Sequence, residues 1–94
     1  MSSQTISEKV TTRTLKAMKT EGERIACMTA YDAAFSSVLD KVGVDLILVG
    51  DSVGMVVQGH DTTIPVSMEE MVYHTQLVVR GNERAMIMAD MPFM

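Results

Sequence analysis

Cysteine is almost missing from this 94-residue sequence: Cys27 stands alone. An internal disulfide and a cysteine-only metal site are therefore excluded, and a secreted, disulfide-stapled scaffold with them. Positive charge is also in short supply, with 8 Lys and Arg against 12 Asp and Glu and a formal net charge of −4. A protein that draws its affinity from neutralising phosphates needs the opposite balance, so no nucleic-acid partner is expected. No stretch approaches the roughly 18 uncharged apolar residues that cross a bilayer, so no membrane partner is expected either. Residues 1–9 have no apolar h-region, and a signal peptide is not visible. Low-complexity segments, Pro- or Ser-rich linkers and charge blocks are absent too. What remains is ordinary globular composition, 47% hydrophobic and 21% charged, enough for one domain or part of one. The default expectation is a soluble, cytoplasmic protein.

Apolar runs of strand length alternate with stretches of helical period. Residues 11–19 read as a short surface helix, with Leu15 and Met18 on one face and Gly22 ending it. Residues 25–30 read as a buried strand. Asp32 is placed to cap the next helix, where Phe35, Val38, Leu39 and Val42 form the apolar stripe and Gly43 is the stop. Residues 45–50 are apolar without alternation, as in a strand covered on both faces. A loop is expected over residues 51–65, with Gly50, Gly54 and Gly59 in it or at its edge. Ser67 and Glu70 have capping-box spacing, and Val66 and Met71 are placed as a hydrophobic staple. Met68, Met71, Val72, Val78 and Val79 line the following helix, which Gly81 ends. Residues 85–89 read as a third buried strand.

The order is thus a helix followed by β-α-β-α-β, an α/β protein with a parallel sheet. Three parallel strands leave two unpaired edges, and such a sheet needs cover on both faces. A complete barrel of alternating strands and helices takes about 250 residues. The expectation is therefore the opening part of a larger α/β domain, not a self-sufficient protein.

Chemistry gathers where the strands end. Each strand runs into a small residue and then an aspartate: Ala30-Tyr31-Asp32, Gly50-Asp51 and Ala89-Asp90. In a parallel sheet these turns share the C-terminal rim, where α/β enzymes place their sites. Neighbouring strands lie about 4.8 Å apart, so the carboxylates of Asp51 and Asp90 can converge. Two such charges about 5 Å apart repel by roughly 3 kcal/mol at an effective dielectric of about 20. A proton, a basic side chain or a cation must relieve that. Mg²⁺ suits the site, since it takes one or two carboxylates and completes its shell with water and substrate oxygens. Rim aspartates also open loops without binding anything, and spacing alone leaves both readings open for Asp51 and Asp90. Capping accounts fully for Asp32.

Other candidates carry less. Residues 50–54 (Gly-Asp-Ser-Val-Gly) lack both G-x-G-x-x-G and the P-loop G-K-[ST]. His60 reads as a hydrogen-bonded loop residue, His74 as a surface or packing residue beside Tyr73, and Cys27 as a small buried hydrophobe. The ten methionines read as flexible core filling, with Met55 in the glycine-rich loop as the exception.

Longer words are more specific. Thr29-Ala30-Tyr31-Asp32, Val49-Gly50-Asp51-Ser52-Val53-Gly54-Met55, Val57-Gln58-Gly59-His60-Asp61-Thr62-Thr63-Ile64-Pro65-Val66 and Ala89-Asp90-Met91-Pro92-Phe93 closely resemble the ketopantoate hydroxymethyltransferase family. The resemblance runs from about Arg24 to the last residue, in order and spacing. It implies a (β/α)8 TIM barrel of the phosphoenolpyruvate/pyruvate type, of which residues 1–94 would form the N-terminal portion, about three of eight strands. It implies Mg²⁺ dependence and a homo-oligomer, with a decamer among the sizes left open. The implied reaction transfers a hydroxymethyl group from methylene-tetrahydrofolate to 3-methyl-2-oxobutanoate, giving 2-dehydropantoate in pantothenate biosynthesis. By the same resemblance Asp51 and Asp90 match metal-binding aspartates that also contact the keto acid, and Ser52 matches a substrate-contacting serine. Tyr31 would wall the pocket. The general-base glutamate, a further metal-associated glutamate and a substrate lysine of the family have no counterpart here, so no catalytic base is assigned and the 94-residue chain by itself is expected to be inactive. Two alternatives stay open: another Mg²⁺-dependent α-keto-acid carbon–carbon enzyme of the same superfamily, which needs no folate, and a non-catalytic barrel fragment acting as a binding module.

Overall fold

The structure is a computed structural model and describes residues 8–93. Residues 1–7, which carry most of the stretch read for a signal peptide, lie outside the described residues. The elements in chain order are α1 (Thr12–Thr20), β1 (Cys27–Thr29), α2 (Ala33–Val42), β2 (Leu46–Val49), α3 (Val53–Val56), α4 (Met68–Arg80) and β3 (Met86–Ala89).

Local chemistry starts the helices. Thr11 and Thr14 exchange side-chain and backbone hydrogen bonds in a capping box ahead of α1. Asp32 Oδ1 accepts the Phe35 N–H at 2.8 Å and opens α2, which closes on Gly43 at φ 96°. Ser67 and Glu70 form the expected box at 3.1 and 2.8 Å ahead of α4, with Val66 and Met71 both buried beneath it. Each box satisfies N–H groups that a helix start would otherwise leave unpaired. Gly81 ends α4 at an ordinary φ of −89°. Its role is close approach: a Cβ there would strike the carbonyl of Ala33 in the first turn of α2. The same crossing is tied by Ser36 Oγ, which donates to the Val78 carbonyl at 2.7 Å with both residues fully buried.

The three strands are parallel in the order β1-β2-β3. Because the order follows the chain, both right-handed crossovers step the same way, and α2 and α4 fall on one face. Ile47 and Val49 point into that face and are fully buried, joined in the core by Val44, Val53, Val66, Met71, Val78 and Ala85. Leu46 and Leu48 alternate to the opposite face and are half-buried.

Several sequence expectations change. The strands read as buried are not: Cys27, Met28 and Thr29 are exposed, as are Met88 and Ala89. β1 and β3 are edges, and among the described residues no helix lies over the face that carries Leu46 and Leu48. Cys27 is thus an exposed thiol and not a buried hydrophobe. The stripe of α2 is turned outward, with Phe35, Val38 and Val42 at 66, 56 and 70% exposure. Of that stripe Leu39 packs against the core, and Ser36 is buried beside it, because a small side chain with a hydroxyl lets α2 and α4 approach while satisfying a buried carbonyl. On α4 only Met71 and Val78 of the predicted stripe are buried. Among the described residues the methionines are mostly exposed or half-buried, with Met18 and Met71 buried. The expected loop over residues 51–65 contains the short helix α3.

The N-terminal edge of the sheet holds a cluster that the sequence reading passed over. Arg84 and Asp45, both about 5% exposed, pair at 3.1 Å. Asp45 Oδ2 also accepts the Ala26 N–H, and Arg84 Nη1 donates to the Val44 carbonyl. Asp40 accepts the N–H groups of Glu83, Arg84 and Ala85. Among the described residues no helix is long and apolar enough to cross a membrane.

Candidate active site

Alternation along the strands decides which side chains meet at the C-terminal rim. Leu46, Leu48 and residue 50 share the face turned away from the helices, and so do Met86, Met88 and residue 90. The β2–β3 ladder continues one step past the strands through the Asp90 N–H, which donates to the Val49 carbonyl at 3.0 Å. Asp90 therefore stands beside Gly50. A Cβ on Gly50 would lie 3.3 Å from Asp90 Oδ2, 3.4 Å from Ser52 Oγ and 3.8 Å from Leu48 Cδ2. Glycine leaves room there for a carboxylate and a hydroxyl to come together.

Asp51 follows at once. Its N–H donates to Asp90 Oδ2 at 3.2 Å, so the Asp90 carboxylate rests against the Asp51 backbone. The half-buried Asp51 carboxylate has no hydrogen bond or ion pair with any described residue. Asp90 has that single N–H and no basic neighbour among the described residues. Two acceptor-only groups are thus adjacent and largely unsatisfied.

That is the donor set a hard divalent cation takes: carboxylate oxygens, open positions and no competing cationic side chain. Among the described residues no group of three or more His, Cys, Asp or Glu is arranged to hold a metal. A cation here would have two protein carboxylates and would draw its remaining ligands from water and substrate. The residues fit Mg²⁺ on those terms.

Ser52 completes the cluster. It occupies the N-cap position of α3 but makes no capping hydrogen bond. Its Oγ lies 2.6 Å from the Tyr31 hydroxyl. Tyr31 is fixed in turn by His74, whose Nδ1 donates to the Tyr31 carbonyl at 2.9 Å, and by Asp32, which caps α2 next door. His74 also packs edge-on against Tyr73, with centroids 5.2 Å apart. An apolar hollow of about 280 Å³ adjoins Tyr31, lined also by Phe35, Val56 and Val57. A second, of about 250 Å³, adjoins Asp90 and is lined by Met71, Val72 and Met91.

The structure brings the side chains of Ser52, Asp90 and Tyr31 and the backbone N–H of Asp51 into one neighbourhood. It leaves Asp32 as a helix cap and His60 as an exposed loop residue whose N–H bonds the Gly54 carbonyl at 2.8 Å. The reading missed the part played by His74. A signal was there: His74 lies three residues after Met71 and four before Val78, on the stripe of α4 that faces the sheet. Glu70, at the foot of the same helix, has its carboxyl held below the ordinary carboxylate value, chiefly by the Ser67 backbone N–H; desolvation opposes this, and the Ser67 hydroxyl and the charges of His60 and His74 add smaller contributions in the same direction as the N–H.

Comparison with known proteins gives the family. The model of the ketopantoate hydroxymethyltransferase family matches residues 9–94. The 3-methyl-2-oxobutanoate hydroxymethyltransferase of Marinobacter nauticus is 59% identical over 85 residues, 90% of this chain and 32% of that protein. Its counterpart from Halorhodospira halophila is 55% identical over 85 residues, 90% of this chain and 31% of that protein. The one from Syntrophus aciditrophicus is 52% identical over 94 residues, 100% of this chain and 35% of its own length. The chain spans about a third of the length of the curated relatives it matches.

Proposed function

The chain belongs to the ketopantoate hydroxymethyltransferase family, and on that premise we propose that the protein transfers a hydroxymethyl group from methylene-tetrahydrofolate to 3-methyl-2-oxobutanoate, giving 2-dehydropantoate for pantothenate biosynthesis. The three parallel strands are then the opening part of a single (β/α)8 barrel of the phosphoenolpyruvate/pyruvate type, to which residues 1–94 contribute the N-terminal portion. Strand order supports this: helices that all fall on one face leave the other to become a barrel interior. The protein is then a cytoplasmic homo-oligomer whose partners are its two small-molecule substrates.

One observation carries the reading. The Asp90 carboxylate rests on the backbone N–H of Asp51 at 3.2 Å, which puts these two aspartates side by side at neighbouring strand ends, both side chains otherwise short of partners among the described residues. Asp51 and Asp90 hold Mg²⁺ and the 2-oxo acid between them. Bound there, Mg²⁺ supplies Lewis-acid polarisation of the 2-oxo acid, which makes the C3 proton easier to remove. Ser52 donates a hydrogen bond to a substrate carboxylate oxygen. Gly50 keeps the loop backbone close enough for all three side chains to reach one ligand. The C3 proton goes to a glutamate that the family likeness sets outside these residues; C3 then bonds to the one-carbon unit, whose two bonds to the folate nitrogens are broken, with water supplying the hydroxyl oxygen and tetrahydrofolate leaving.

Asp51→Ala in the full-length enzyme tests this. Turnover is expected to fall by roughly 100-fold or more, with the Mg²⁺ dependence lost, as suits a centre worth several kcal/mol. Unchanged turnover and unchanged Mg²⁺ dependence would remove Asp51 from the site. Product formed without folate would point to another α-keto-acid enzyme of the superfamily.

A further inference from the structure

We infer that Tyr31 is a positioning residue, whose phenol donates to Ser52 Oγ and so turns the Ser52 hydroxyl proton toward the bound 2-oxo acid. The inference rests on the function proposed above and adds to it a residue with no direct part in metal or substrate binding.

The starting point is what Ser52 does not do. A serine at an N-cap ordinarily accepts a backbone N–H from the first turn of its helix. Ser52, at φ −58° and ψ −12°, makes no such bond, and its oxygen lies 2.6 Å from the Tyr31 hydroxyl. That is short even for a hydroxyl pair. A phenol O–H is a stronger hydrogen-bond donor than an alcohol O–H, because the ring draws electron density from its oxygen, and Tyr31 is therefore the better donor. If Tyr31 donates, the single proton of Ser52 is left for another acceptor. Ser52 Oγ lies on the Gly50 side of the rim, 3.4 Å from where a Gly50 Cβ would be and close to the Asp90 carboxylate, which is where the proposed site would place the substrate.

Tyr31 is itself held firmly. The Ala30 N–H donates to the Leu48 carbonyl at 3.2 Å, which fixes the strand end. His74 donates to the Tyr31 carbonyl at 2.9 Å, and Asp32 fixes the start of α2 at 2.8 Å. Three secondary-structure elements thus fix the stretch of backbone from which the phenol extends. Without it, Ser52 Oγ becomes a free rotor that must be ordered each time substrate binds, and its lone pairs become available to the α3 N–H groups. The bond to the substrate carboxylate exists before and during reaction, so its loss weakens binding without altering the chemical step.

A double-mutant cycle on the full-length enzyme tests this, using Tyr31→Phe, Ser52→Ala and the pair together. Tyr31→Phe keeps the ring and is expected to raise KM for 3-methyl-2-oxobutanoate about 5-fold, the scale of one hydrogen bond between neutral groups, with kcat within about 2-fold. In the Ser52→Ala background the same substitution is expected to change KM by less than about 1.5-fold, because its only target is gone. Effects that multiply independently would overturn the inference, as would a lowered melting temperature with KM unmoved. A wild-type enzyme that neither turns over nor binds the 2-oxo acid would overturn the proposed function and the inference together. An active wild type with independent effects would overturn the inference alone.

Discussion

The two rims of the sheet use the same kind of side chain to opposite ends. At the N-terminal rim the two aspartates are saturated: Asp45 has Arg84 and the Ala26 N–H, and Asp40 has three N–H groups just ahead of β3. At the C-terminal rim Asp51 has no described partner and Asp90 has one N–H. A charge with all its partners inside the protein serves the fold, since removing one partner strands the other. A charge left short of partners has room for a ligand. Satisfaction, and not residue type, separates the structural rim from the chemical one.

The contrast can be broken most forcefully from below. Asp45→Ala leaves the Arg84 guanidinium buried without its counter-ion, and stability of the full-length protein is expected to fall by about 3–5 kcal/mol, read from urea unfolding. A loss under about 1 kcal/mol would mean that the pair is not needed. Next comes Asp90→Asn. Activity is expected to drop by roughly 100-fold while the unfolding midpoint moves by no more than about 0.5 kcal/mol, the range of a substitution that strands no partner. A large stability loss there would erase the distinction between the rims. Gly50→Ala is a finer probe, because the added methyl would press on Asp90 Oδ2 and Ser52 Oγ at 3.3 and 3.4 Å. We expect kcat/KM to fall about 10-fold, the cost of misplacing a ligating group by a few tenths of an ångström.

The smallest effect belongs to neither rim. The Glu70 carboxyl is depressed, mainly by the Ser67 N–H. Its contribution to stability is therefore full above the carboxyl value of the unfolded chain, and it is lost as the pH falls through the lower value of the folded state. Glu70→Gln should flatten a small part of the acid limb of the melting-temperature curve and leave the neutral region nearly unchanged. An acid limb identical to wild type would show that the capping box carries no linked proton.

Much of the framework was legible from residues alone. Asp32, Ser67 with Glu70, and Gly43 act within four residues of themselves, so they read the same in the sequence as in the fold. The rim position of Asp51 and Asp90 also followed from strand ends in a parallel sheet. Exposure did not follow. Phe35, Val38 and Val42 have the period of a buried stripe, yet Ser36 faces the core, because a pattern gives a face and not the neighbour that covers it. Cys27 and Met88 failed for the same reason, being strand residues on edges.

The helix caps, the strand ends and the family words were set by the sequence, since each depends on chain neighbours or on the identity of a short run. Tertiary structure alone decided which charges are satisfied. Arg84 meets Asp45 across 39 positions, Tyr31 meets Ser52 across 21, and His74 meets Tyr31 across 43. These pairs are made by parallel crossovers that bring distant strand ends to a common edge. A hydrogen bond there depends on a few tenths of an ångström in three dimensions, which no spacing along the chain encodes.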